Sequence, residues 1–312
     1  MNLGIIHGEP NADYHATDAV SHSKLNDFRR LPLYYQRKHV LKTIAREEPT
    51  RSMITGTGLH GYLLEGPAAF DRDIAVLPAD APRRPTELQR NAKKPSPETV
   101  AAIEWWDAWN RNTAGKEVMT SADRDVVLAM LQGVAANPLA VQLLTHPAGK
   151  SEVVFRKRMQ HFTVQCRADY WNEAGCELSN GLPYVVDVKT VASLCEGDFS
   201  TFAKNFHAFG YHLQAAFYRE VIAEVAGAQT RPDFFFVVVE KAEPFQCMVF
   251  RVDDTAMAVA EREIISDLLK LRECYERNAW PGAPTDLQVI GLPAWYVASA
   301  VQKTADAVGG AA

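Results

Sequence analysis

The run Val185-Val186-Asp187-Val188-Lys189-Thr190 constrains this chain more than any other stretch. Its β-branched flanks read as a largely buried strand. Residues two apart on a strand project to the same side, so Asp187 and Lys189 share one face. Burying a carboxylate without a partner costs on the order of several kcal/mol, so Asp187 needs a cation or a metal beside it. A second carboxylate, Asp169, stands 18 residues earlier in Cys166-Arg167-Ala168-Asp169-Tyr170, a run of similar character. Two carboxylates offer hard oxygen ligands to Mg²⁺, and a nearby lysine can polarise or deprotonate the water that attacks a phosphodiester. An isolated Asp-x-Lys is more often a surface ion pair. The buried flanks here favour metal-dependent hydrolysis.

The chain has 312 residues, 47% hydrophobic and 23% charged, which suits an ordinary globular protein of one large domain or two small ones. It contains no run of eighteen apolar residues, so no membrane span is expected. Met1-Asn2-Leu3-Gly4 lacks the basic and apolar regions of a secretion signal, and the expected location is cytoplasmic. The cysteines, Cys166, Cys176, Cys195, Cys247 and Cys274, are scattered without a C-x-x-C pair. That excludes a zinc ribbon or redox motif and predicts buried free thiols.

A net charge of −5 at first speaks against nucleic acid as a partner. Metal-binding carboxylates and an acidic outer surface nevertheless coexist with a basic groove in nucleases. One basic cluster comprises Arg29, Arg30, Arg37, Lys38, His39, Lys42 and Arg46; another comprises Arg83, Arg84, Arg90, Lys93 and Lys94. Either is a solvated face unless it meets DNA. No G-x-x-x-x-G-K-[ST] loop and no G-x-G-x-x-G after a strand is present, which leaves other phosphate-handling classes without support.

Ser21 or Ser23 predicts the start of a helix running to about Ala45, interrupted near Pro32, and Thr57 to Leu64 predicts a short helix after Gly56-Thr57-Gly58. Residues 78–97, with five prolines, read as a long loop. Helices are expected over 97–113, 121–136 and 138–145, with Trp105, Trp106 and Trp109 contributing core. Strands follow at 151–159, 162–171 and 183–190, the first two as a hairpin around Gln160-His161. Helices at 197–207 and 210–226, strands at 233–241 and 245–252, and a helix at 254–278 complete the pattern; the rest is tail. This order predicts an α/β fold, a mixed central sheet flanked by helices with a helical N-terminal elaboration.

Three further stretches carry candidate chemistry. In Gly210-Tyr211-His212-Leu213-Gln214-Ala215-Ala216-Phe217-Tyr218, Gln214 and Tyr218 are four apart and share a helix face. That face either orients a lysine, a water or a phosphate, or only hydrogen-bonds at the core boundary. His60, between Gly56 and Gly66, is either a nitrogen ligand for a divalent metal or a satisfied core histidine, and Glu65 a helix-end carboxylate. Glu152 in Ser151-Glu152-Val153-Val154-Phe155 is an additional acidic contributor or an edge-strand charge.

The ordered set His60, Glu152, Asp169, Asp187-x-Lys189 and Gln214-x-x-x-Tyr218 resembles the RecB-type branch of the P-D-(D/E)-x-K nuclease superfamily. Within that branch it is most similar to the catalytic domain of phage and prophage RecE-type exonucleases (exodeoxyribonuclease VIII). Val20-Ser21-His22-Ser23-Lys24-Leu25-Asn26-Asp27-Phe28 and the Gly56–Gly66 stretch also match, and the resemblance covers most of residues 15–295. It departs from the superfamily's name where Ala168 stands before Asp169 in place of proline.

The resemblance implies a restriction-endonuclease-like fold, with residues 1–285 as one nuclease domain and 286–312 as a C-terminal tail. In that domain 1–150 is the mainly helical part and 151–285 holds the catalytic sheet and helices. It implies Mg²⁺, with Mn²⁺ as a substitute, held by His60, Asp169, Asp187 and the backbone carbonyl of Val188, with Lys189 as catalytic lysine. Gln214 and Tyr218 would organise DNA or the active site, and Glu152 matches an acidic position less securely. The four-cysteine spacing of iron–sulfur relatives is missing, so no cluster is expected. The implied activity is 5′→3′ degradation of duplex DNA ends, leaving a 3′ single strand for an annealing protein, by a homo-oligomeric ring such as a tetramer. The rivals are a structure-specific or single-strand nuclease of repair or defence, and a non-catalytic DNA-binding protein on the same fold.

Overall fold

The computed structural model describes residues 1–45, 50–194, 200–227 and 231–300. Strand β1 (Gly4–Ile6) precedes helices α1 (Asn11–Ala16), α2 (His22–Arg30) and α3 (Pro32–Tyr35), and α3 runs into a π-helical turn, Gln36–Val40. Helix α4 (Arg51–His60) continues into a second π-helical turn, Gly61–Glu65, followed by α5 (Pro67–Asp73). Strands β2 (Ile74–Leu77) and β3 (Glu117–Thr120) enclose α6 (Glu87–Arg90) and α7 (Pro97–Asn112) and pair in parallel as a small separate sheet. Helices α8 (Ser121–Ala135) and α9 (Pro138–Leu144) lead to the hairpin β4 (Gly149–Arg158) and β5 (Thr163–Asn172). Then come β6 (Tyr184–Val191), α10 (Ser200–Ala208), α11 (Tyr211–Ala226), β7 (Asp233–Glu240), β8 (Cys247–Arg251) and α12 (Asp254–Arg277).

The main sheet has the order β1-β4-β5-β6-β7-β8. Its neighbours pair antiparallel except β6 with β7, whose parallel pairing needs the crossover that α10 and α11 supply. On one face Phe155, Cys166, Val185, Phe234 and Phe236 pack with Leu213 and Phe217 of α11 and Ile264 of α12. On the other, Tyr184, Val186, Val188, Phe235 and Val237 pack with Leu59 of α4, Met130 of α8 and Leu143 of α9. Helices on both faces explain why β6 and β7 read as nearly continuous apolar runs. Among the described residues, no single helix is long and apolar enough to cross a membrane.

Several local expectations change. The helix expected from residue 21 to 45 divides, because Leu31, preceding Pro32, is extended and ends α2. Helix α4 starts at Arg51, capped by the Thr50 hydroxyl, so Gly56 and Gly58 lie inside it. At Gly58 an added Cβ would sit 2.8 Å from Met119 Cε, so the glycine permits β3 to approach the helix. Strand β1, helix α5 and the β2–β3 pair were not foreseen.

The loop at 78–97 contains α6 and is fastened to α7. Trp106 Nε1 donates to the Pro82 carbonyl at 2.9 Å, Arg84 lies 4.9 Å over the Trp106 ring, and Arg90 pairs with Asp107 at 2.7 Å. Of the three tryptophans only Trp106 is buried; Trp105 and Trp109 are half-buried and stack 5.6 Å apart. Past the prolines, residues 294–300 are helical, where tail was expected. Cys166 and Cys274 are buried free thiols, and Cys176 and Cys247 are half-buried. Cys195, Arg46 and the expected start of α10 at 197 lie outside the described residues.

Candidate active site

The site forms where the sheet opens. Ser151 pairs with Tyr170 and Val153 with Ala168, but Glu152 and Asp169 between them have no ladder partner. Glu152 adopts a left-handed φ of 53°, uncommon for a residue with a side chain and a local strain that frees it from the pleat. On the other side, β5 pairs with β6 only from Tyr170–Val186 to Asn172–Tyr184, and the strands then separate. Val188 therefore faces a gap on the β5 side. The Asp169 carboxylate fills part of it, accepting from the Val188 N–H at 2.7 Å. His60, the last residue of α4, brings Nε2 to 3.0 Å from the Val188 carbonyl oxygen and Nδ1 to 3.4 Å from Asp169 Oδ2. Side chains thus occupy the backbone positions that a strand would have taken.

One ligand atom from each of His60, Glu152 and Asp169 lies within 4.8 Å of the others. Glu152 is only 9% exposed and pairs with Arg167. Asp187, 2% exposed, pairs with Lys189 and accepts a hydrogen bond from Gln214 Nε2 on its other oxygen. The ammonium of Lys189 lies 5.1 Å from the ring of Tyr211, at the start of α11. Tyr218, one turn beyond Gln214, packs edge-on to Phe234 at 6.0 Å.

Electrostatics follow from crowding and burial. Burial and the Asp169 charge, only partly offset by Arg167, push the Glu152 carboxyl up to about 8. Burial, opposed by Lys189 and reinforced by Asp169, pushes Asp187 up to about 6. For Lys189, burial disfavours the charge but the carboxylates of Asp187 and Asp169 outweigh it, so the lysine is held as an ammonium. Burial raises the Tyr218 hydroxyl well above its ordinary value.

The residues fit a divalent cation. The buried oxygens Glu152 Oε2 and Asp187 Oδ2 touch their cations but make no formed hydrogen bond. Carboxylate oxygens and one imidazole are a donor set for Mg²⁺ or Mn²⁺. The structure brings His60, Glu152, Asp169, Asp187, Lys189 and Gln214 together, with Tyr218 one layer behind, while Glu65 pairs with Arg72. The arrangement differs in emphasis, since Glu152 stands inside the compact triad while Asp187 turns toward Lys189 and Gln214. Sequence reasoning passed over Arg167 as the partner of Glu152 and Tyr211 beside Lys189. Arg167 carried a usable signal, being two residues before Asp169 on a strand.

The model of a PDDEXK-like domain of unknown function (DUF3799) matches residues 21–290. A solved structure of a putative exonuclease from Eubacterium rectale is similar with a TM-score of 0.54 and 11% identity, covering 92% of this chain and 96% of that one. At that identity the likeness concerns the fold. A second solved structure, of SSO0001, aligns over 75% of this chain and 87% of its own at 12% identity, with a TM-score of 0.28. No curated protein matches. With the family model spanning most of its length and an Asp-x-Lys strand at the mouth of an opened sheet, this chain belongs to the PDDEXK-like family.

Proposed function

We propose that the protein is a metal-dependent exonuclease of the RecE type, hydrolysing DNA from duplex ends in the 5′→3′ direction and leaving 3′ single strands for annealing. The observation that carries this reading is the convergence of His60, Glu152 and Asp169 beside the buried Asp187–Lys189 pair. His60, Asp169, Glu152, Asp187 and the Val188 carbonyl are the groups that would hold Mg²⁺. When bound, the ion supplies charge for the phosphate oxygens and an acidified water.

The chain's own part is positional and electrostatic. Lys189, held as an ammonium, donates to the attacking water or a phosphate oxygen and offsets developing negative charge. Gln214 fixes the Asp187 carboxylate, and Tyr218 packs behind that face. The water oxygen forms a bond to phosphorus as the bond to the leaving oxygen breaks, and a proton from water ends on the leaving group. Residues 1–285 would act as one unit. A ring-shaped homo-oligomer and an annealing partner belong to the same proposal.

The test is digestion of linear duplex DNA labelled at the 5′ or 3′ end, with a covalently closed circle alongside, in Mg²⁺ and in EDTA. Release of 5′-terminal nucleotides from the linear substrate alone, lost in Lys189→Ala, is the expected result. Cutting of the circle would indicate an endonuclease. No hydrolysis of any DNA would leave a DNA-binding protein.

A further inference from the structure

Between α10 and α11 the chain turns at Gly210, in the left-handed conformation with φ 67°, and this turn leaves Phe209 outside the fold. The Phe209 side chain is 60% exposed. A single exposed apolar residue is unremarkable on any surface, but this one has particular neighbours. Its ring lies 5.8 Å from Tyr211, and Tyr211 lies 5.1 Å from the Lys189 ammonium, so one ring separates it from the site. Lys204 and His207, three apart, are exposed on α10, the helix that ends at this turn. His207 stacks on His212 at 5.6 Å. Residues 200–218 contain no aspartate or glutamate, although the chain as a whole carries a net charge of −5. An exposed ring that follows a helix carrying an exposed lysine and adjoins a phosphodiester site is a composition suited to single-stranded nucleic acid. Bases stack on the aromatic face while cations meet the backbone.

We propose that Phe209 is a stacking platform for an unpaired base of the strand being cut, so that the site receives a melted strand end and not an intact duplex step. This rests on the nuclease reading above and adds to it the form in which the substrate enters. Stacking engages the π-face common to all bases, so the platform is indifferent to sequence. Lys204, exposed on α10, is available to a phosphate of the same strand.

The experiment is a fluorescence-anisotropy titration of labelled oligo(dT) in Mg²⁺, with Lys189→Ala as the background to prevent turnover. Phe209→Ala is expected to weaken binding about 10-fold, since stacking on one aromatic accounts for roughly that factor or more, and Phe209→Trp to restore it. Thermal melts should coincide, because the side chain is mostly outside the fold. Unchanged affinity in Phe209→Ala would overturn the proposal. So would a change in oligomeric mass by light scattering without a change in affinity, which would assign the ring to contact with a second copy. The two readings fail separately. If the protein with Lys189 intact hydrolyses no DNA but Phe209→Ala still loses affinity, the platform stands and the nuclease reading falls. If Lys189→Ala abolishes hydrolysis and Phe209→Ala binds normally, the reverse holds.

Discussion

Strands β6 and β7 lie side by side in the sheet, parallel and buried, yet they are built to different ends. In β7 the segment Phe234–Val239 is wholly apolar and every residue is buried. In β6, Asp187 sits opposite Phe236 and Lys189 opposite Val238. A buried ion pair in such a place gives little net stability compared with apolar residues of the same size, because both charges lose their hydration. The β7 side of the sheet serves cohesion. The β6 side gives up cohesion to hold charge where β5 has turned away.

Five measurements would break or sharpen that contrast. Lys189→Ala should lower the rate of DNA hydrolysis by about 10³-fold, by loss of a donor at the site of developing charge. A wild-type rate would mean that β6 carries no chemistry. The double variant Asp187→Leu/Lys189→Met should be equally inactive while melting at or above the wild-type temperature, as buried pairs replaced by apolar residues often do. Phe236→Ala should do the opposite, costing about 3–4 kcal/mol in denaturant unfolding while the folded fraction stays active. Loss of activity without loss of stability there would erase the distinction between the strands.

A fourth measurement concerns pH. The folded-state carboxyls of Glu152 and Asp187 are raised to about 8 and about 6. Below the ordinary carboxylate range both states are protonated and nothing is lost. As pH rises from the ordinary carboxylate range through about 6 and on to about 8, the unfolded chain ionises first, so the folded, metal-free protein binds more protons and loses stability across that window. Melting in EDTA across that range should show the decline, and millimolar Mg²⁺ should remove it; a flat profile would mean that the carboxylates do not crowd. The smallest effect is expected for Gln214→Ala, about 1.5 kcal/mol of transition-state stabilisation from one hydrogen bond to a charged group, read as a roughly tenfold fall in kcat/KM.

Much of this was legible where chemistry and periodicity coincide. The period of two placed Asp187 beside Lys189, and the helical spacing put Gln214 and Tyr218 on one face of α11. Other features depend on contacts far apart in sequence. Glu152 reads as an ordinary strand residue, and its left-handed backbone follows from β4 and β5 each leaving one residue unpaired. The glycines before His60 suggested a helix start, but Gly58 is there for the side chain of Met119, some sixty residues away. Strands β2 and β3, four residues each, are too short for alternation to register.

The gap beside Val188 has a spectroscopic consequence. Its amide hydrogen rests on Asp169 and its carbonyl oxygen meets His60, so both polar groups of one residue answer to these two side chains and not to a neighbouring strand. In a ¹⁵N-labelled sample the Val188 amide should therefore act as a resident gauge of the centre. Its chemical shift and solvent-exchange rate should move with each step of a metal titration, while the amides of β7, locked into ordinary ladders, stay still.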